Sequence, residues 1–144
     1  MPLELDQIRR RVQTRLTEIK RAAVARRDTV AAAERAYEGF LANVATPTLT
    51  AVAQSLSAEG YPYKVVTPGG VARMVSDRSN RTYLEIRLDT TGPVPQVIAE
   101  VGRERGSRVL ADERPVGEGL PVDAVTDEHV LAVVVGAMGE LIER

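Results

Sequence analysis

The chain contains no cysteine and no tryptophan, and only one phenylalanine, four tyrosines and one histidine among its 144 residues. The missing cysteine excludes a disulfide framework, a thiolate metal site and a cysteine nucleophile. A single histidine, His129, cannot assemble an imidazole ligand set. Scarce aromatics leave few platforms on which the bases of a single-stranded nucleic acid could stack. Long hydrophobic runs are missing as well. The longest, Val130 to Val135, is six residues, against the roughly 20 that a membrane-spanning helix needs. The first sixteen residues, MPLELDQIRRRVQTRL, carry neither the apolar core nor the small-residue cleavage site of a secretory leader. The expectation is a cytoplasmic protein without integral membrane association.

What is present suits a folded domain. Hydrophobic residues make up 44% and charged residues 27%, ordinary proportions for a globular chain. Folding at this length buries roughly two-thirds of the unfolded surface, which is enough for a core without staples. The net charge is −1, but its distribution is uneven. Residues 1–27 hold eight arginines and lysines against Glu4, Asp6 and Glu18, a balance of +5, and the remainder holds eleven basic and seventeen acidic residues, a balance of −6. A split of this kind points the basic end either at a polyanion or at an acidic surface of its own kind.

From Leu5 to Val44 apolar residues recur on one helical face: Leu5, Ile8, Val12, Leu16, Ile19, Ala23, Val30, Tyr37, Leu41 and Val44. Gaps of three and four average close to the 3.6-residue period of a straight α-helix, which drifts away from the strict heptad of a left-handed coiled coil. No proline or glycine falls between Leu3 and Glu38. The stripe thins at Arg26-Arg27-Asp28-Thr29, where Asp28 or Thr29 could cap a second helix, so a break near Arg27 is allowed for. A helix of about 40 residues is about 60 Å long, whereas a compact domain of the remaining residues is only about 30 to 35 Å across. The first half of such a helix needs a partner, or a fold-back at Arg27. Residues 1–45 are accordingly read as a long basic amphipathic helix and residues 46–144 as one α+β domain.

Thr46-Pro47-Thr48 is read as the end of the first helix. Leu49, Val52, Ala53 and Leu56 give a short second one, stopped by Gly60. Tyr61 to Val66 reads as extended. Val71 to Val75 and Thr82 to Leu88 form a hairpin around Ser76 to Arg81, with Leu84, Ile86 and Leu88 facing the core and Tyr83, Glu85 and Arg87 the wetter side. Val94, Val97, Ile98 and Val101 have helical spacing, which predicts a helix over Pro95 to Arg105 ended by Gly106. Arg108 to Val116 reads as a strand. Thr126 is the N-cap of a last helix, with Asp127 and Glu128 favourable to its dipole and Leu131, Val134, Val135, Met138, Leu141 and Ile142 on its apolar face. The predicted fold is α+β: a long N-terminal helix, then a small, mainly antiparallel sheet covered by helices.

Catalytic signals are weak. His129 sits beside Asp127 and Glu128 with no second histidine, and no spacing ties it to Ser76, Ser79 or Ser107 as a nucleophile. The carboxylates Asp112, Glu113, Glu118, Asp123, Asp127 and Glu128 cluster in and around a loop, where solvated charge is the usual reason. Gly69-Gly70 lacks the lysine of a phosphate-binding loop, and Gly117-Glu118-Gly119 lacks the rest of a dinucleotide fingerprint. No catalytic residue, metal ligand or cofactor is expected. The leading expectation is a non-enzymatic protein-interaction or adaptor module, a homodimer or a binder of a helical partner, with Leu5, Ile8, Val12, Leu16 and Ile19 as its interface. A nucleic-acid-associated protein using Arg9, Arg10, Arg11, Arg15 and Arg27 on polyanion is the first alternative. An enzyme with a site in the acidic loop near His129 is the second.

Overall fold

The computed structural model describes residues 1–142. Helix α1 spans Leu5–Phe40 without interruption. The break allowed for near Arg27 does not occur: Thr29 turns its hydroxyl back onto the Ala25 carbonyl at 2.9 Å instead of capping a new helix, a bond that helix interiors accommodate. Nor does Thr46-Pro47-Thr48 end the element. A π-helical turn, Leu41–Ala45, carries the chain directly into α2, Thr46–Ala58. In that wider turn the hydrogen bonds run to the fifth residue back, and the Thr46 N–H donates to the Leu41 carbonyl. Pro47 then stands in the first turn of α2, where its missing N–H costs little. Helix α2 stops as expected at Gly60. Its φ of +94° suits glycine, and the Tyr61 and Gly60 N–H groups donate to the Leu56 and Ser57 carbonyls, the paired closure of a Schellman motif.

The sheet is a five-stranded antiparallel meander in the order β1 (Tyr63–Val66), β2 (Ala72–Ser76), β3 (Tyr83–Asp89), β4 (Gln96–Arg105) and β5 (Arg108–Pro115). The helix predicted over Pro95 to Arg105 is therefore wrong, because this stretch is β4, paired to both β3 and β5. Its apolar residues are buried on both faces, Val97, Ala99 and Val101 on one and Ile98 on the other. A strand covered on both sides loses the alternation that distinguishes it from a helix. Gly106 does not cap a helix either. With φ of +63° it takes the first place of the two-residue turn Gly106-Ser107 between the paired residues Arg105 and Arg108, a hairpin position that favours glycine.

After a short 3-10 turn at Val122–Ala124, α3 covers Asp127–Gly136 and α4 Met138–Ile142. The single last helix expected is thus two, divided at Ala137. Val130, Val134 and Leu141 point inward, whereas Leu131 and Val135 are exposed. The core forms between the inner face of the sheet (Ala72, Met74, Leu84, Ile86, Val97, Ala99, Val101) and the helices, through Leu49, Val52, Ala53 and Leu56 from α2 and Val130 and Val134 from α3. The end of α1 belongs to the same core: Tyr37 and Phe40 are buried with rings 6.0 Å apart, and the Tyr37 hydroxyl donates to the Ile86 carbonyl at 3.1 Å. Tyr63 does the same further along, donating to the Leu141 carbonyl at 2.6 Å. Burial pushes both phenols up to about 12. The chain groups into two compact units, Met1–Ala32 and Ala33–Arg144. Among the described residues no helix is long and apolar enough to cross a membrane.

Candidate functional site

The interface residues expected from the sequence all lie on α1, in its first compact unit. Each is exposed: Leu5 by 66%, Ile8 by 44%, Val12 by 53%, Leu16 by 48% and Ile19 by 48%. Their steps of three, four and four make an eleven-residue repeat, with Leu16 eleven after Leu5 and Ile19 eleven after Ile8. That repeat winds at about 3.67 residues per turn and keeps a stripe on one face of a nearly straight helix. It lapses at the next step, where Arg27 follows Leu16 by eleven. Counting about 100° per residue, Arg9, Lys20 and Arg27 fall along one border of the stripe and Arg15 along the other. Arg10 and Arg21 fall on the opposite side of the helix. The five arginines singled out as polyanion contacts are therefore not gathered on one face: Arg9, Arg15 and Arg27 border the apolar stripe, Arg11 lies beyond Arg15, and Arg10 points away. Arg15 pairs with Glu18 at 3.3 Å across one turn, both well exposed, an interaction worth a few tenths of a kcal/mol.

Within the second unit the helices leave an open groove of about 880 Å³. Val44, Val52, Leu56, Val125, Leu131 and Met138 supply its apolar surface, with α2 as one wall and the start of α3 as the other. Among the described residues its charged lining is Glu59, Asp127 and Glu128, with no lysine or arginine. Nothing local in the sequence announces this groove, because its walls lie about 70 residues apart in the chain.

On the outer face of the sheet, Arg73, Glu85, Glu100 and Glu113 form one cross-strand row over β2, β3, β4 and β5. Arg73 donates to Glu85 through both Nε and Nη2, at 3.0 and 2.7 Å, and lies 4.6 Å from the centre of the Tyr83 ring. Arg87, from the neighbouring row, reaches Glu85 at 3.4 Å, Glu100 at 3.0 Å and Glu113 at 2.9 Å. The Tyr83 hydroxyl donates to Glu100 at 2.6 Å, and the lack of a side chain at Gly102 leaves room for the Tyr83 ring, which a Cβ there would strike. This bond from Tyr83, then those from Arg87, hold the Glu100 carboxyl below the usual carboxylate range. Burial and the same bond push the Tyr83 phenol up to about 12. Every carboxylate of the row is thereby occupied by a fixed donor. Such an arrangement locks the register of the strands.

The acidic loop near His129 divides among separate duties. Asp112 pairs with Arg114 at 3.0 Å, Arg114 with Glu140 at 2.5 Å, and Glu113 with Arg87. Glu118 occupies a turn at φ +20°, and Asp127 and Glu128 open α3 at the edge of the groove. Among the described residues no group of three or more metal-ligating side chains could hold an ion. His129 is the third residue of α3, and its Nδ1 accepts the backbone N–H of Thr126 at 2.9 Å. The histidine thus takes the role that glutamate or glutamine fills in a capping box. His129→Ala should lower stability by about 1 kcal/mol, the usual cost of a lost cap, while His129→Gln should stay near the parent in a urea titration. Equal losses in the two variants would show that the ring is held for another purpose. Comparison of the chain with known protein families, with curated proteins and with solved structures gives no match.

Proposed function

We propose that the protein is a non-enzymatic interaction module that forms a homodimer, or docks a helical partner, through the first half of α1. The observation that carries this reading is the exposure of five large aliphatic side chains in one continuous stripe. Scattered apolar residues are normal on a surface, but a contiguous patch bordered by charge marks an association site. An amphipathic helix also draws most of its stability from packing of its apolar face, so association supplies what the stripe requires. Burying each such side chain is worth about 1.5 to 3 kcal/mol, enough in sum to offset the freedom lost when two chains combine.

Light scattering on the eluting full-length chain, with absorbance at 260 and 280 nm on the same peak, tests the proposal. Twice the chain mass without excess 260 nm absorbance is expected. With no tryptophan and four tyrosines, the protein absorbs so weakly that even a little bound nucleic acid would dominate the 260 nm signal. A monomer carrying nucleic acid would overturn the proposal and make Arg9, Arg10, Arg11, Arg15 and Arg27 the functional surface, with steeply salt-dependent binding.

A further inference from the structure

We propose that the groove between α2 and α3 receives residues 5–19 of a second copy of this chain, an inference that rests on the reading of α1 as the self-association element. Three observations select this occupant. The first is charge. Among the described residues the groove is lined by Glu59, Asp127 and Glu128 with no basic residue, and residues 5–19 carry Arg9, Arg10, Arg11 and Arg15 against Asp6 and Glu18. The second is pattern. The groove has an apolar floor under an acidic edge, and the stripe has an aliphatic centre with Arg9, Lys20 and Arg15 along its borders, so each surface supplies what the other lacks. The third is length. The thirteen residues of α2 and the fifteen from Leu5 to Ile19 both extend about 20 Å at the rise of an α-helix. The occupant is a second copy because the proposed function makes residues 5–19 the self-association element. In the docked state Leu5, Ile8, Val12, Leu16 and Ile19 fill the space over Val52, Leu56 and Leu131. The arginines meet the edge carboxylates, which set orientation and speed of encounter more than affinity.

The absence of cysteine makes the test direct. Ile8→Cys, Val12→Cys and Leu16→Cys are each mixed with Ala51→Cys and oxidised in air with a copper catalyst. All four positions are exposed, and a disulfide requires Cα atoms within about 7 Å. At least one mixture should give a cross-linked pair of one stripe variant with one Ala51→Cys chain, at tenfold or more the yield of Ala51→Cys alone. Cross-links confined to stripe cysteines of the same variant would overturn the groove as the docking site and leave self-association standing, with the stripes packed on each other. A dimer mass with no mixed cross-link at any of the three positions would do the same. A monomer mass would remove both this inference and the proposed function.

Discussion

Arg87→Leu should destabilise the fold by about 2 kcal/mol at neutral pH, and lowering the pH should shrink that loss. Breaking a wholly buried ion pair costs about 3 to 5 kcal/mol. The Arg87 side chain is 28% exposed, which places it below that range. Without its guanidinium, Glu85 keeps Arg73 and Glu100 keeps only a neutral donor in Tyr83 from among the bonds described above. Glu85 and Glu100 are direct cross-strand neighbours, as are Glu100 and Glu113. Like charges placed opposite each other oppose strand pairing. In the parent protein the Glu100 carboxyl lies below its ordinary value, so its contribution to stability is present above the unfolded carboxylate value of about 4.3 and fades as the pH falls through the lower folded one. In the variant Glu100 keeps the Tyr83 bond but loses those from Arg87, so its carboxyl is held down less firmly and less stability is lost as the pH falls. The two urea midpoints should therefore lie well apart at pH 7 and converge as the pH falls below the ordinary carboxylate range. A gap of the same size above and below that range would mean that Arg87 acts through the packing of its aliphatic stem instead.

The parts of the fold legible in the sequence are those governed by local rules. Alanine and arginine without proline or glycine made α1 readable, and Gly60 marked the end of α2, because both depend on backbone preferences within one turn. Pro47 misled for the same reason. Its rule is local, but a π-helical turn immediately before it changes the hydrogen-bond spacing and lets the helix pass. In β4 the aliphatic residues fit two periods, since a strand buried on both faces has no polar alternation to display. The hairpin signal Gly106-Ser107 stood in the sequence and outweighs the helical spacing of Val94, Val97, Ile98 and Val101. The apolar stripe was readable from spacing alone. The groove that α2 and α3 line was not, because it depends on a meander that returns the chain to α2 after about 70 residues. The Arg73, Glu85, Glu100 and Glu113 row was equally hidden, since a register shift of one residue would send those side chains to the opposite face.

Ile8→Glu combined with Leu16→Glu should convert the assembly wholly to monomer and leave the folded domain intact. Both residues are exposed on α1, and glutamate is a strong helix former, so far-UV circular dichroism and the urea midpoint of the monomer should hold. Each substitution removes a burial worth about 1.5 kcal/mol or more, and in a dimer both copies lose it. The total, about 6 kcal/mol, corresponds to more than four orders of magnitude in Kd. The loss lies in apolar burial rather than in charge, so screening by added salt should not restore the dimer. The companion pair Arg10→Glu and Arg21→Glu lies on the opposite side of the same helix and shifts the net charge twice as far as the first pair. It should leave the mass unchanged if the stripe carries the association. Binding to nucleic acid would give the converse: the arginine pair would release the polyanion because sequence-independent phosphate contacts scale with positive charge. A double stripe variant that keeps the parent mass would end the case for α1 as the interface.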